Sequence, residues 1–238
     1  MQRTIIGVFD RSVNEMTQQS KAPSVEGFKK LSFWREESVG IVTFLSPGLM
    51  DNGLLEELIQ VFSIAAVDDK VSSLILTGSN FNFSKGIVVP ENRSYADLRD
   101  YYKRVQSLVL FWVSLEKPIF SAVNGTATNN GVSVALLADE VFLSENSRVI
   151  LNEEEPTIFL GSLTIPQRVT SVGDSLRIKG VEVGKENMME DVFNRSKLLR
   201  KLGYHRSRRQ KFPELDRILL QEEIDFLDFY LWCEGCRE

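Results

Sequence analysis

The sequence predicts an α/β protein built on a mainly parallel sheet, and three observations carry that expectation. Short apolar runs, Val71 to Thr77 and Ile119 to Val123, read as buried strands. Segments of helical periodicity alternate with them, Asp51 to Ile64 before the first and Tyr95 to Leu115 before the second. Each strand ends on a break, Gly78 in one case and Asn124-Gly125 in the other, so the same unit repeats. Strands alternating with helices imply parallel pairing through right-handed crossovers.

The elements follow in order. Residues 1 to 30 open with an apolar patch, Ile5 to Phe9, and continue through Gln18, Gln19, Ser20 and Pro23; they read as an N-terminal extension. Leu31 to Phe44 alternates and then turns apolar, which predicts a hairpin of edge strands. Ser46-Pro47-Gly48 is a loop. Asp51 and Asn52 cap a helix whose Leu54, Leu55, Leu58, Val61 and Phe62 recur at helical spacing. Thr126 to Gly131 reads as a polar loop and Val132 to Leu137 as a helix entering the core. Residues 31 to 200 form the core unit on this reading, and 201 to 238 a helical C-terminal segment. Leu219, Leu220, Ile224, Leu227, Phe229, Leu231 and Trp232 give that segment too much apolar surface to stand alone. It must cover the core or meet another subunit.

Composition bounds the function. Of 238 residues 43% are hydrophobic, enough for a sizeable core. A net charge of -5 disfavours a general nucleic-acid binder. No apolar run has the length of a membrane span, and Met1-Gln2-Arg3 does not open a signal-peptide pattern; an intracellular setting, cytoplasmic or organellar, is expected. Cys233 and Cys236 form a lone CxxC, and the single His205 has no ligand pattern around it, so no metal site is expected. Arg206, Arg208, Arg209 and Lys211 form a basic cluster whose plain reading is a solvated loop.

The stretch from Lys117 to Asp139 holds the chemistry. A strand, a loop of Asn and Gly, and then a helix start place free backbone N–H groups at a positive dipole end. Such a place suits an anion, or an oxygen that becomes negative during a reaction. The plain alternative is an ordinary strand-to-helix connection.

The order and spacing of several motifs resemble the crotonase (enoyl-CoA hydratase/isomerase) superfamily. They are Leu76-Thr77-Gly78, Phe83-Ser84 with Gly86, Lys117-Pro118, Ala122-Val123-Asn124-Gly125 and Asp139, flanked by Pro47 and Asn52 upstream and by Leu160-Gly161 and Gln167-Arg168 downstream. The resemblance runs from about Lys30 to Glu238 and implies a spiral of repeated ββα units with a helical C-terminal segment. It further implies an acyl-CoA thioester as ligand or substrate with no tightly bound cofactor, a role in fatty acid metabolism, and assembly into trimers or pairs of trimers. Across Val181 to Leu202 it weakens: Met188, Met189 and Glu190 stand where the family has a clear helix, and that region reads as shortened.

Carried over position by position, the oxyanion hole falls on the backbone N–H groups of Lys85 and Asn130. Phe83, Gly86 and Gly131 would line the ligand. Phe81, Phe111 and Trp112 are further acyl-pocket candidates, although aromatics at such spacings more often serve a core. Hydratases of this pattern use two glutamates, and here the first position is Ser133. The second depends on the count: forward from Asp139 it is Glu153, first of Glu153, Glu154 and Glu155; backward from Leu160-Gly161 it is Thr157. One carboxylate with an oxyanion hole suits an enoyl-CoA isomerase, which needs a single base, here Glu153. No carboxylate implies a relative that has lost catalysis and serves as a binding or assembly subunit. Ordinary hydration, the lyase activity of the family, is the third reading.

Overall fold

The structure, a computed structural model, describes residues 27–90, 94–151, 155–172, 175–178, 181–184, 188–201, 212 and 214–232. Glu153, Glu154, His205, the basic cluster from Arg206 to Lys211, Cys233 and Cys236 lie outside the described residues.

The chain winds as the expected ββα spiral. Strand β1 (Leu31–Glu36) pairs antiparallel with β2 (Val39–Phe44), which leads into helix α1 (Asn52–Val67). Three strand–strand–helix repeats follow: β3 (Ser73–Gly78), β4 (Asn82–Ser84) and helix α2 (Tyr95–Ser114); β5 (Ile119–Val123), β6 (Thr126–Thr128) and helix α3 (Asn130–Leu136); β7 (Glu140–Ser144), β8 (Arg148–Ile150) and helix α4 (Gly161–Arg168). A two-stranded antiparallel pair, β9 (Val169–Val172) with β10 (Ser175–Ile178), precedes β11 (Val181–Gly184), helix α5 (Met188–Lys201) and helix α6 (Leu215–Trp232). The first strands of the repeats form a six-stranded sheet, β1-β2-β3-β5-β7-β11, parallel beyond β2. Their second strands form a parallel sheet, β4-β6-β8.

Local chemistry explains the main elements. Asp51 caps α1, its side chain accepting from the Leu54 N–H at 2.8 Å, while Lys117 closes the other end by donating to the carbonyls of Ala65 and Asp68. Ser94 caps α2 in the same way through the Asp97 N–H. Apolar alternation on the central strands feeds two cores. Val42, Phe44, Leu74, Leu76 and Ile119 face α1, α2 and α6 on one side of the sheet. Val39, Ile41, Ile75, Phe120 and Phe142 face α5 on the other.

Three expectations change. The segment Val39–Phe44 is no edge strand: every residue in it is buried, and it runs parallel to β3 with Val42 opposite Leu76. Thr126–Thr128 forms a strand rather than a loop because β4 and β8 supply ladders on either side. The region read as shortened carries α5, a full helix that seats Met188, Val192 and Leu199 on the second core and ties Arg195 to Glu140, Nη2 and Nε donating at 2.7 and 2.8 Å. Helix α6 covers the first core with Leu215, Leu219, Phe226 and Leu227, as its apolar load requires. Among the described residues, no helix is long and apolar enough to cross a membrane.

Candidate functional site

Two close backbone approaches assemble the site. A Cβ at Gly131 would lie 2.5 Å from the Ser84 carbonyl oxygen and 2.9 Å from Ser84 Oγ. The first turn of α3 therefore rests directly on the end of β4, and the Lys85 and Asn130 regions meet. Ser84 is fully buried, donates from Oγ to the Gly48 carbonyl at 2.6 Å, and accepts from the Gly86 N–H at 3.2 Å. Gly86 has φ of 92°, a conformation that favours glycine.

The two expected oxyanion donors differ in state. The Lys85 N–H is spent on the Pro47 carbonyl at 3.2 Å, while its side chain is exposed. The Asn130 N–H opens α3, where the first N–H groups of a helix have no intrahelical acceptor. Its side chain is wholly buried and works elsewhere. Nδ2 donates to the Pro156 carbonyl at 3.1 Å and Oδ1 accepts from the Ile158 N–H at 2.7 Å. Asn130 thus straps the 156–158 segment to α3, a job glycine cannot do. Its neighbour Asn129 takes φ of 43° with ψ of -111°, outside the left-handed helical region, and donates from Nδ2 to Glu155 Oε2 at 2.5 Å.

Ser133 and Thr157, the latter the second glutamate position on the backward count, stand side by side. A Cβ on Gly161 would fall 2.3 Å from Ser133 Oγ and 3.0 Å from Thr157 Cβ, so both residues touch the same point of the α4 start. Ser133 is fully buried, and among the described residues its hydroxyl has no hydrogen-bond partner. Neither side chain can act as a carboxylate base. Glu155 is the described member of its acidic run, and it sits on the Asn129 side of this group.

Other candidates fall away from it. Phe83 is buried edge-on against Phe44 at 5.4 Å, and Trp112 against Phe62 at 5.0 Å, so both serve the core. Phe81 and Phe111 are exposed. Among the described residues no cluster of three or more His, Cys, Asp or Glu side chains could hold a metal ion.

Sequence reasoning missed Glu222. It is 1% exposed on α6 and accepts from the Leu160 N–H at 3.1 Å, the Ser162 N–H at 3.0 Å and Ser162 Oγ at 2.7 Å. Burial pushes its carboxyl up to about 7, against the opposing pull of those donors. The signal was present: Glu222 falls on the same stripe as Leu215, Leu219 and Phe226, a polar residue where the helix turns inward.

Comparison with known proteins agrees with this architecture. The family model described as enoyl-CoA hydratase/isomerase matches residues 35–186, more than half of the chain. The chain belongs to the enoyl-CoA hydratase/isomerase family. A mitochondrial enoyl-CoA hydratase of Pongo abelii is 28% identical over 170 residues, covering 66% of this chain and 56% of that protein. The 2,3-dehydroadipyl-CoA hydratase of Escherichia coli (strain K12) is 31% identical over 163 residues, 63% of this chain and 60% of that protein. The chain thus spans less than two thirds of either relative. Among solved structures, an enoyl-CoA hydratase from Bacillus halodurans superposes with a TM-score of 0.73 at 16% identity, covering 88% of this chain and 97% of that one. HypX from Aquifex aeolicus gives 0.71 over 95% of this chain and 48% of its own. At such identities the two structures speak for the fold alone.

Proposed function

We propose that this protein binds an acyl-CoA thioester without hydrating it, and serves the family's fold as a binding or assembly subunit. One observation supports the reading: Ser133, at the first glutamate position, meets across Gly161 with Thr157, which the backward count puts at the second. Hydration needs a group that takes a proton from water and one that returns it to carbon, and a buried serine beside a threonine supplies neither at neutral pH. The Lys85 N–H, already bonded to Pro47, weakens the case for a two-donor oxyanion hole as well. The hydratases among its relatives support the thioester as the ligand class.

Titration calorimetry with 2-butenoyl-CoA tests the binding, and absorbance at the enoyl thioester band tests the chemistry. Saturable binding with no turnover is expected; hydration at ordinary enzymatic rates would overturn the reading.

A second reading is isomerisation by a single base. The contact of Glu155 with Asn129 favours it, because it holds a carboxylate next to the start of α3. Glu153, the base expected from the count, stays a candidate for the same role. Conversion of 3-enoyl-CoA to 2-enoyl-CoA that disappears in Glu155→Gln, or in Glu153→Gln, establishes this reading and names the base. Self-association into a trimer or hexamer belongs to the same proposal, with Leu220, Ile224 and Trp232 left exposed on α6 as its motive. Sedimentation as a clean monomer at micromolar concentration would count against it.

A further inference from the structure

We propose that Glu222 is a positioning residue for this site: from α6 its carboxylate grips the left-handed turn Ile158–Gly161 and so seats Gly161 against Ser133 and Thr157. The turn is unusual. Phe159 and Leu160 have φ of 59° and 57°, and the Gly161 N–H closes the turn on the Ile158 carbonyl at 3.1 Å. Two successive left-handed residues make a type I′ geometry, which Asn-Gly or Gly-Gly adopts without strain. Here a phenylalanine and a leucine adopt it, both fully buried, and bulky residues reach that region only when their surroundings enforce it.

Two side chains supply the enforcement from opposite sides. Asn130, on α3, takes the Ile158 N–H at the entry of the turn. Glu222, on α6, takes the Leu160 and Ser162 N–H groups at its exit, together with the Ser162 hydroxyl. The amides of Leu160, in the turn, and Ser162, in the first turn of α4, converge on this one carboxyl group. Since Gly161 lies between those amides and touches both Ser133 and Thr157, the grip of α6 sets the wall of the site.

The arrangement is sensitive to pH. Among the described residues, Glu222 meets the charge of Asp225 on its own helix, Tyr102 from α2 and the hydroxyl of Ser162 at α4, while its neighbour Glu223 is paired with Arg99 of α2. Burial outweighs the donors and raises the carboxyl from its ordinary 4.5 to about 7. Opening the turn hydrates Glu222 and lets it ionise at its ordinary value, so each proton lost favours the open form. Opening therefore becomes easier as pH climbs from 4.5 to about 7 and levels off above that.

Amide exchange on the full chain, read by NMR as protection factors, tests the grip without any ligand. In the wild type the protection of Leu160 and Ser162 falls by up to about tenfold per pH unit across that window. Glu222→Met keeps the packing and removes every acceptor, so both amides lose at least about tenfold in protection while Leu219 and Phe226 on α6 keep theirs. Glu222→Gln removes the titration, and the pH slope with it. Ser162→Ala changes an exposed side chain and leaves the fold intact if the Glu222 variants do not fold. It removes a donor that favours the charged form, so the midpoint moves up. An unmoved midpoint, or protection at Leu160 and Ser162 unchanged in Glu222→Met, overturns the proposal.

The link to the site rests on the acyl-CoA reading and has its own arm. Calorimetry with 2-butenoyl-CoA should give at least about tenfold weaker binding for Glu222→Met than for the wild type. Equal affinity overturns the positioning role. A wild type that binds none overturns the acyl-CoA reading, and exchange alone then decides the grip.

Discussion

At the residue scale, the motifs that betray the family are joints of the architecture more than instruments of chemistry. A Cβ at Gly78 would lie 1.8 Å from the Asn82 carbonyl oxygen, and one at Gly125 would lie 1.9 Å from that of Phe81. Asn124 binds Gly78 twice, accepting from its N–H at 3.2 Å and donating to its carbonyl at 2.7 Å, and so continues the β3–β5 pairing past its last residues. Asp139 takes the Ile119 N–H at 2.8 Å and holds the start of β5. These demands are strict, which is why the fold was legible in the sequence. The site was less so, because Ser133 and Thr157 signal only what is missing, and the run Glu153 to Glu155 leaves the count ambiguous. Gly125→Ala should cost more than about 3 kcal/mol in urea unfolding, since backbone must move to admit the methyl group. Asn124→Ala, which leaves two buried backbone groups unpaired, should cost about 2 to 4 kcal/mol in the same measurement. Gly161→Ala should destabilise through collision with Ser133 Oγ at 2.3 Å, and adding Ser133→Ala should restore part of the loss; additive penalties would refute that contact.

At the element scale, long periodic helices and the central strands were foreseen, and the misses share a cause. Thr126–Thr128 looks like a loop from its own residues, yet β4 and β8 on its flanks make it a strand. Val39–Phe44 is half of the expected hairpin, yet its pairing with β3 and burial on both faces take it from the edge to the inside of the sheet. In each case partners distant in sequence decide, which local pattern cannot report. The end of helix α1 also depends on a distant residue, one the sequence marks as a motif without revealing its role. Lys117 begins the Lys-Pro motif and donates from Nζ to the carbonyls of Ala65, at 2.5 Å, and Asp68, at 2.8 Å. A cation at a helix C-terminus satisfies orphan carbonyls and the dipole together. Lys117→Met keeps the aliphatic stem and loses the cap, so it should cost about 1 to 2 kcal/mol. Faster amide exchange confined to the last turn of α1 would separate lost capping from general loosening.

At the scale of the whole molecule, α6 closes the spiral over the first core, and the polar atoms buried beneath it set the pH response. Tyr102 ties α2 to it by donating to the Leu219 carbonyl at 2.7 Å, and burial drives its phenol far above the ordinary value, so that group stays neutral through the physiological range. Glu222 behaves differently, because its carboxyl titrates near 7 in the fold and near 4.5 when the chain unfolds. Between those values this group holds fewer protons in the unfolded chain than in the folded one, so its contribution to stability falls as pH rises. This runs opposite to a carboxylate held by an ion pair, whose stabilisation grows with pH. The full difference is on the order of 3 kcal/mol, developed by the time the pH reaches about 7 and constant above it. Urea unfolding across that window should therefore show the midpoint sliding downward toward neutrality in the wild type. In Glu222→Gln, which cannot ionise, this component vanishes and the curve flattens. A wild-type midpoint that climbs steadily from acid to neutral pH, with Glu222→Gln following the same course, would show that Glu222 is charged in the folded protein throughout.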